Sequence, residues 1–196
     1  MMTMTSAETE TYTTTAKFLH WLIALALVVQ WVLGLTFDYF ARPTKTALIG
    51  FHATFGTVIL VLVLLRLAWR LKAGAPHLPI SMPSLMRLAS HGTHILFYVL
   101  LIFVPLAGIA LRFAHGQAID FGLFSLPALW TANHATTRLV GQIHALGAYV
   151  LLGLAGLHIL AALYHHFGRN DGVLHRMLPA AWTPLLATAP DSDKAA

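Results

Sequence analysis

Residues 139–167 read LVGQIHALGAYVLLGLAGLHILAALYHHF, an apolar run carrying two internal histidines, His144 and His158. About 20 apolar residues suffice to cross the hydrocarbon layer of a bilayer as a helix, and this run exceeds that length. The two histidines are fourteen residues apart. At 3.6 residues per turn that is close to four whole turns, so both rings leave the same helix face. At 1.5 Å per residue they stand roughly 21 Å apart along the axis, most of the hydrocarbon thickness. Imidazole in hydrocarbon is costly and marks function. Two imidazoles on one face, near opposite membrane surfaces, point to two stacked cofactor sites.

The rest of the chain has the same character. Of its 196 residues, 58% are hydrophobic and only 10% are charged. A soluble domain carries about 25% charged residues, so this is an integral membrane protein. Cysteine is absent. That excludes disulfides, iron–sulfur clusters, thiolate chemistry and covalent haem attachment through Cys-x-x-Cys-His. Histidine occurs twelve times, as often as Lys and Arg together, so a metal or haem iron falls first to imidazole. The net charge of +5 reads as basic residues flanking membrane spans and meeting anionic lipid headgroups, not as a nucleic-acid surface. The first sixteen residues are polar and rich in Thr, with no apolar stretch leading to a small-residue cleavage site. The first span is therefore expected to serve as its own insertion signal.

Four segments have spanning length: residues 17–37, 47–71, 88–113 and 138–167. Together they make a membrane domain over residues 17–180, between a polar N-terminal segment (1–16) and a polar C-terminal tail (181–196). Pro105 falls inside the third span, where membrane helices tolerate it. Four helices with mostly short connections predict an all-α, antiparallel transmembrane four-helix bundle. Lys17, Arg66, Arg70, Lys72, Arg87, Arg169, Arg176 and Lys194 fall on the side of both termini, and Arg42, Lys45, Arg112 and Arg138 on the other. The excess of basic residues predicts cytoplasmic termini. Trp21, Trp31, Trp69 and Trp130 lie near the expected interfaces, as aromatic belts do.

Orientation sorts the histidines by depth. His52, near the outer end of the second span, shares a depth with His144, and His20, near the inner end of the first, shares one with His158. Each cross-helix pair would supply both axial ligands of a low-spin haem between helices. Small residues follow each candidate by one turn: Ala24, Gly56, Gly147 with Ala148, and Ala161 with Ala162. Such residues leave room for a porphyrin, although membrane helices are generally rich in them. Zinc is the competing metal, but structural zinc takes four clustered ligands, whereas this pattern has two separated pairs. A lone histidine near a helix end is commonly just an interfacial side chain, and the pairing by depth is what lifts these four above that reading.

Arg66, fourteen residues after His52, shares its face at the inner depth and is a candidate partner for a haem propionate or a quinone oxygen. Snorkelling to the interface is the competing account. Arg112 is the corresponding candidate at the outer end. His91 and His94, three apart at the start of the third span, share a face and are candidates for quinone binding or proton delivery, with either an alternative to His20 as ligand. His165, seven residues after His158, is a further candidate facing the inner cofactor.

Several stretches resemble the bacterial cytochrome b561 family. They are Lys17-Phe18-Leu19-His20-Trp21, Ile49-Gly50-Phe51-His52, Gln142-Ile143-His144, Gly156-Leu157-His158 and Ala162-Leu163-Tyr164-His165-His166. The tail Asp171-Gly172-Val173-Leu174-His175-Arg176-Met177-Leu178-Pro179 is similar as well. The likeness runs from about Tyr12 to Pro179, in matching order and spacing. It implies a four-helix inner-membrane protein with two non-covalent haems b, liganded at the positions of His20, His52, His144 and His158. It also implies a quinone-linked oxidoreductase, with ubiquinone as electron acceptor and superoxide or another one-electron donor arriving at the periplasmic side. Arg42, Lys45, Arg112 and Arg138 would steer an anionic donor there. Two alternatives stand beside this: a cytochrome b relay subunit of a hydrogenase or dehydrogenase complex, and a His-rich membrane metal-binding or transport protein.

Overall fold

The computed structural model describes residues 11–78, 82–179 and 181–182. The expected polar segments, 1–16 and 181–196, therefore lie largely outside the described residues, and so does Lys194. Four long helices carry the fold: α1 (Thr14–Thr36), α2 (Arg42–Ala73), α3 (Ser84–Ala114) and α4 (His134–Leu163). Each is long and apolar enough to cross a membrane. No more than 17% of the most apolar window of any helix is buried inside the protein. Exposed Val28, Val32, Val61, Leu65, Val99 and Leu160 would be untenable in water, and they form the lipid-facing surface. The molecule is thus a transmembrane four-helix bundle, as its periodicity and length predict.

Helix ends are set by local chemistry. The Thr13 hydroxyl caps α1 by accepting from the Ala16 amide at 3.3 Å. Asn133 caps α4 by accepting from the Thr136 amide at 3.1 Å. Gly74 ends α2 at φ +74°, a left-handed conformation that favours glycine. Each helix starts three to five residues before its predicted span, while the far ends of α2 and α3 overrun by one or two residues and those of α1 and α4 fall short. α4 ends early at Leu163 and passes into a π-helical turn, Tyr164–Arg169.

Consecutive helices pack closely: α1 on α2, α2 on α3, and α3 on α4. The backbones of α1 and α4, and of α2 and α4, do not close up in the same way. Mid-bundle, Ile23 and Ala26 of α1, Ile59 and Val63 of α2, Leu101 of α3 and Leu151 of α4 form one buried apolar cluster. Val63 and Leu151 are 0% and 2% exposed.

Each end of the bundle is covered by a short segment. At the end away from the termini, β1 (Ile119–Asp120) pairs antiparallel with β2 (Ser125–Leu126), Ile119 opposite Leu126. Ile119 is buried, and the Asp120 carbonyl accepts from the Thr54 hydroxyl at 2.6 Å, which ties the hairpin to α2. At the terminal end, residues 171–178 fold back over the helices. There the Trp21 indole donates to the Met177 carbonyl at 3.0 Å, the Tyr12 amide donates to the Arg176 carbonyl at 3.2 Å, and Leu178 is buried. Neither cover follows from hydrophobic periodicity.

Candidate functional site

The apolar cluster separates two layers of histidine. Leu151 lies seven residues from both His144 and His158, and Ile59 seven from both His52 and Arg66. Seven residues are nearly two turns, so one face of each helix carries polar, apolar and polar groups in register. In the layer distal to the termini, the His52 and His144 rings have centroids 6.1 Å apart and planes at 86°. In the terminal layer, His20 and His158 are 6.3 Å apart at 73°. His94 joins them from α3, 5.9 Å from His158. Both pairs predicted from depth are therefore brought together, and the terminal layer gains a third ring.

These separations can be compared with what a metal between two imidazoles requires. Metal–nitrogen bonds of about 2 Å on each side, plus a ring radius of roughly 1 Å each, put ring centres about 6 Å apart. Both pairs fit. They also bridge α2 to α4 and α1 to α4, the helix pairs whose backbones leave space between them. Among the described residues, no group of three or more His, Cys, Asp or Glu encloses a bare metal ion. The distal layer offers two imidazoles and the terminal layer three, and in each a pair from different helices supplies the donor set that bis-histidine haem takes.

Hydrogen bonds show which ring nitrogens are free. The Val104 carbonyl lies 3.0 Å from His144 Nδ1. A carbonyl only accepts, so Nδ1 carries the proton and Nε2 keeps its lone pair for a metal. His94 Nδ1 donates in the same way to the Ser90 carbonyl at 2.7 Å. His52 Nδ1 is buried without a hydrogen-bond partner among the described residues. Gln30, in the middle of α1, donates from Nε2 to the His52 carbonyl at 3.0 Å. Gln30 escaped the sequence reading, yet an amide in an apolar span is itself a signal. Ten residues after His20, at 1.5 Å each, it stands about 15 Å above that ring and level with His52.

The other candidates separate into those that face the layers and those that do not. Arg66 Nη1 donates to the Ala16 carbonyl at 2.6 Å, and the guanidinium also bonds to Tyr98. It sits close enough to His20, His94 and His158 to act on all three electrostatically. Arg66 lines a small crevice with Tyr12, Ala16, Trp69, Arg70 and Gly74. A cleft of about 340 Å³, which Arg66 does not line, shares Tyr12, Ala16 and Gly74 with it and is lined by Thr13 and His77 among others. His91 is exposed and leaves the layer to His94. Arg112 is engaged by the loop before β1: Nε donates to the Ala118 carbonyl at 3.1 Å and Nη1 to Gln117 Oε1 at 2.5 Å. Lys45 is paired with Asp38 at 2.5 Å.

His165 is held by Asp171, with Nδ1 2.6 Å from Oδ2, and Arg169 Nε reaches the same oxygen at 3.2 Å. Burial would raise the Asp171 carboxyl, but the bonds from His165, the Val173 amide and Arg169 outweigh it and hold the group below the usual carboxylate range. His165 is thus anchored to the returning segment.

Two glycines near the rings sit close to other side chains. A Cβ on Gly56 would lie 2.9 Å from Gln30 Nε2, and one on Gly147 would lie 2.9 Å from Val104 Cγ2. Both admit a neighbouring side chain at close range.

The comparisons with known proteins agree with this geometry. The family model for prokaryotic cytochrome b561 matches residues 11–180. The probable superoxide oxidase CybB of Yersinia pestis is 32% identical over 163 residues, covering 82% of this chain and 92% of that protein. Cytochrome b561 homolog 2 of Escherichia coli K12 is 30% identical, covering 86% and 92%. Cytochrome b562 of Cereibacter sphaeroides is 27% identical, covering 85% and 94%. The chain belongs to the prokaryotic cytochrome b561 family, the haem b electron-transfer proteins of the bacterial membrane.

Proposed function

We propose that the protein is a di-haem quinone-linked oxidoreductase that takes electrons from superoxide. The observation that carries the reading is the pair of histidine layers, each with two rings about 6 Å apart, on either side of one apolar cluster. Bound haem supplies reversible one-electron chemistry, which both superoxide oxidation and quinone reduction require. His52 and His144 would hold the distal haem, and His20 and His158 the terminal one. His20 is preferred over His94 because the family resemblance places the ligand there. His94 then keeps Nε2 free: with Nδ1 donating to Ser90, the neutral ring accepts from a quinol hydroxyl at Nε2, and the protonated ring donates there to a quinone oxygen.

The termini are cytoplasmic, from the bias of basic residues, so the distal layer lies near the periplasm. That side meets superoxide. The quinone binds on the terminal side, where Arg66, Tyr98 and His94 gather. Arg66 offers a positive charge to a propionate or quinone oxygen there. The named activity of the Yersinia relative supports superoxide as donor.

The test is made on purified protein. Pyridine haemochrome analysis is expected to return two haems b per chain. Superoxide should reduce them, and added ubiquinone should reoxidise them. Two haems that superoxide cannot reduce would leave the cytochrome and remove the superoxide activity. A protein free of haem would defeat the whole reading.

A further inference from the structure

The distal layer contains two buried polar atoms without a hydrogen-bond partner among the described residues: His52 Nδ1 and Gln30 Oε1. The residues that carry them already touch, through Gln30 Nε2 and the His52 carbonyl at 3.0 Å. Gln30 Oε1 can only accept. His52 Nδ1 can only donate once Nε2 of the same ring is committed to a metal. We propose that Gln30 is a positioning residue for His52, its Oε1 accepting the Nδ1 proton when Nε2 holds the distal haem iron. The inference rests on the reading of His52 as a haem ligand given above.

Buried polar groups are almost always partnered, and one bond here satisfies both orphans. Metal-bound histidines donate their second N–H to an oxygen, which fixes the ring and makes it a stronger ligand. His144 already does so through the Val104 carbonyl. His94 and His115 each use the carbonyl four residues back, at 2.7 Å and 2.9 Å. His52 uses neither device, and Gln30, which already bonds to its carbonyl, carries a side-chain acceptor that is itself unfilled among the described residues.

The local packing is shaped to this contact. Gln30, Gly34 and Phe37 follow one another along one face of α1 and its end. A Cβ on Gly34 would lie 3.6 Å from His52 Cε1, and the Phe37 ring stands 5.3 Å from the His52 ring. The absence of a side chain on Gly56 leaves the space that the Gln30 amide fills.

An acceptor on Nδ1–H makes the imidazole more electron-donating and so favours the oxidised metal. Gln30 therefore holds the potential of the distal haem down and leaves the terminal haem untouched. The test uses purified holoprotein as wild type, Gln30→Leu and Gln30→Glu. Each is assayed for haem content, titrated spectroelectrochemically, and examined by low-temperature EPR.

Gln30→Leu is expected to raise one of two midpoint potentials and to change the g-values of one low-spin signal only. Gln30→Glu keeps an acceptor and is expected to lower that same potential. A Leu variant with two haems and unchanged potentials and g-values would overturn the proposal, as would Leu and Glu shifting in the same direction. If the Leu variant does not fold, the Glu variant decides alone: an unmoved distal potential overturns the proposal. A wild type with fewer than two haems fails the parent reading before any variant is compared.

Discussion

Gly108 decides where the His144 ring lies. A Cβ there would stand 3.0 Å from His144 Cε1 and 3.3 Å from Nδ1, so the ring would have to give way by a few tenths of an ångström. Gly108→Ala is therefore expected to push the ring off its bond to Val104 and to lower haem content from two towards one per chain. Pyridine haemochrome measures this directly. Gly92→Ala on the same helix meets nothing within 4 Å and serves as the neutral control. At this scale the spacing of His20, His52, His144 and His158 was readable because helical geometry alone sets depth and face. The split between His91 and His94 was not. Three residues turn a helix through about 300°, which leaves the two rings roughly 60° apart. The edge of the bundle falls within that angle, and only packing shows where. The loop partners of Arg112 were not legible for a similar reason: the loop that returns to accept its guanidinium has no periodic signal.

The covering segments are the elements that periodicity left out. The returning stretch at the terminal end hangs on Asp171, whose side chain is only 9% exposed. Its carboxyl titrates below the ordinary value, so its contribution to stability is full above an unfolded pKa of about 4 and is lost as pH falls through the depressed folded one. Asp171→Asn is expected to cost about 1–2 kcal/mol at pH 7, from hydrogen bonds to a charged group that is partly open to water. The gap to wild type should close in acid, as read by thermal unfolding in detergent across pH. A gap that persists at pH 2 would show that the carboxylate charge is not the source. At the other end, Thr54→Val removes the bond to Asp120 that pins the hairpin. About 1 kcal/mol or less is expected from so exposed a bond, with faster amide exchange confined to residues 117–126.

For the whole molecule, the apolar cluster between the layers is the structural divide. Leu151→Ala would leave a cavity in the only helix that contributes a ring to both layers, and is expected to cost about 2–5 kcal/mol. Its haem content should hold, because His144 and His158 each lie two turns away. Orientation has a direct test, since the chain contains no cysteine. A cysteine at Ala75 should react with a membrane-impermeant reagent only from the cytoplasm, and one at Asp120 only from the periplasm. The reverse pattern would invert the assignment of donor and quinone sides.

The sequence by itself determined the bundle, the number of spans and the depth of four histidines. These follow from two local quantities, hydrophobic length and the 3.6-residue turn, that act along one helix at a time. Only the tertiary structure decided that His94 joins the terminal layer, that Arg66 faces it, and that Gln30 stands against His52. Those outcomes depend on how helices rotate and lean against one another. Rotation is set by the summed packing of Gly56, Gly108 and Gly147 against particular neighbours, which no single segment encodes.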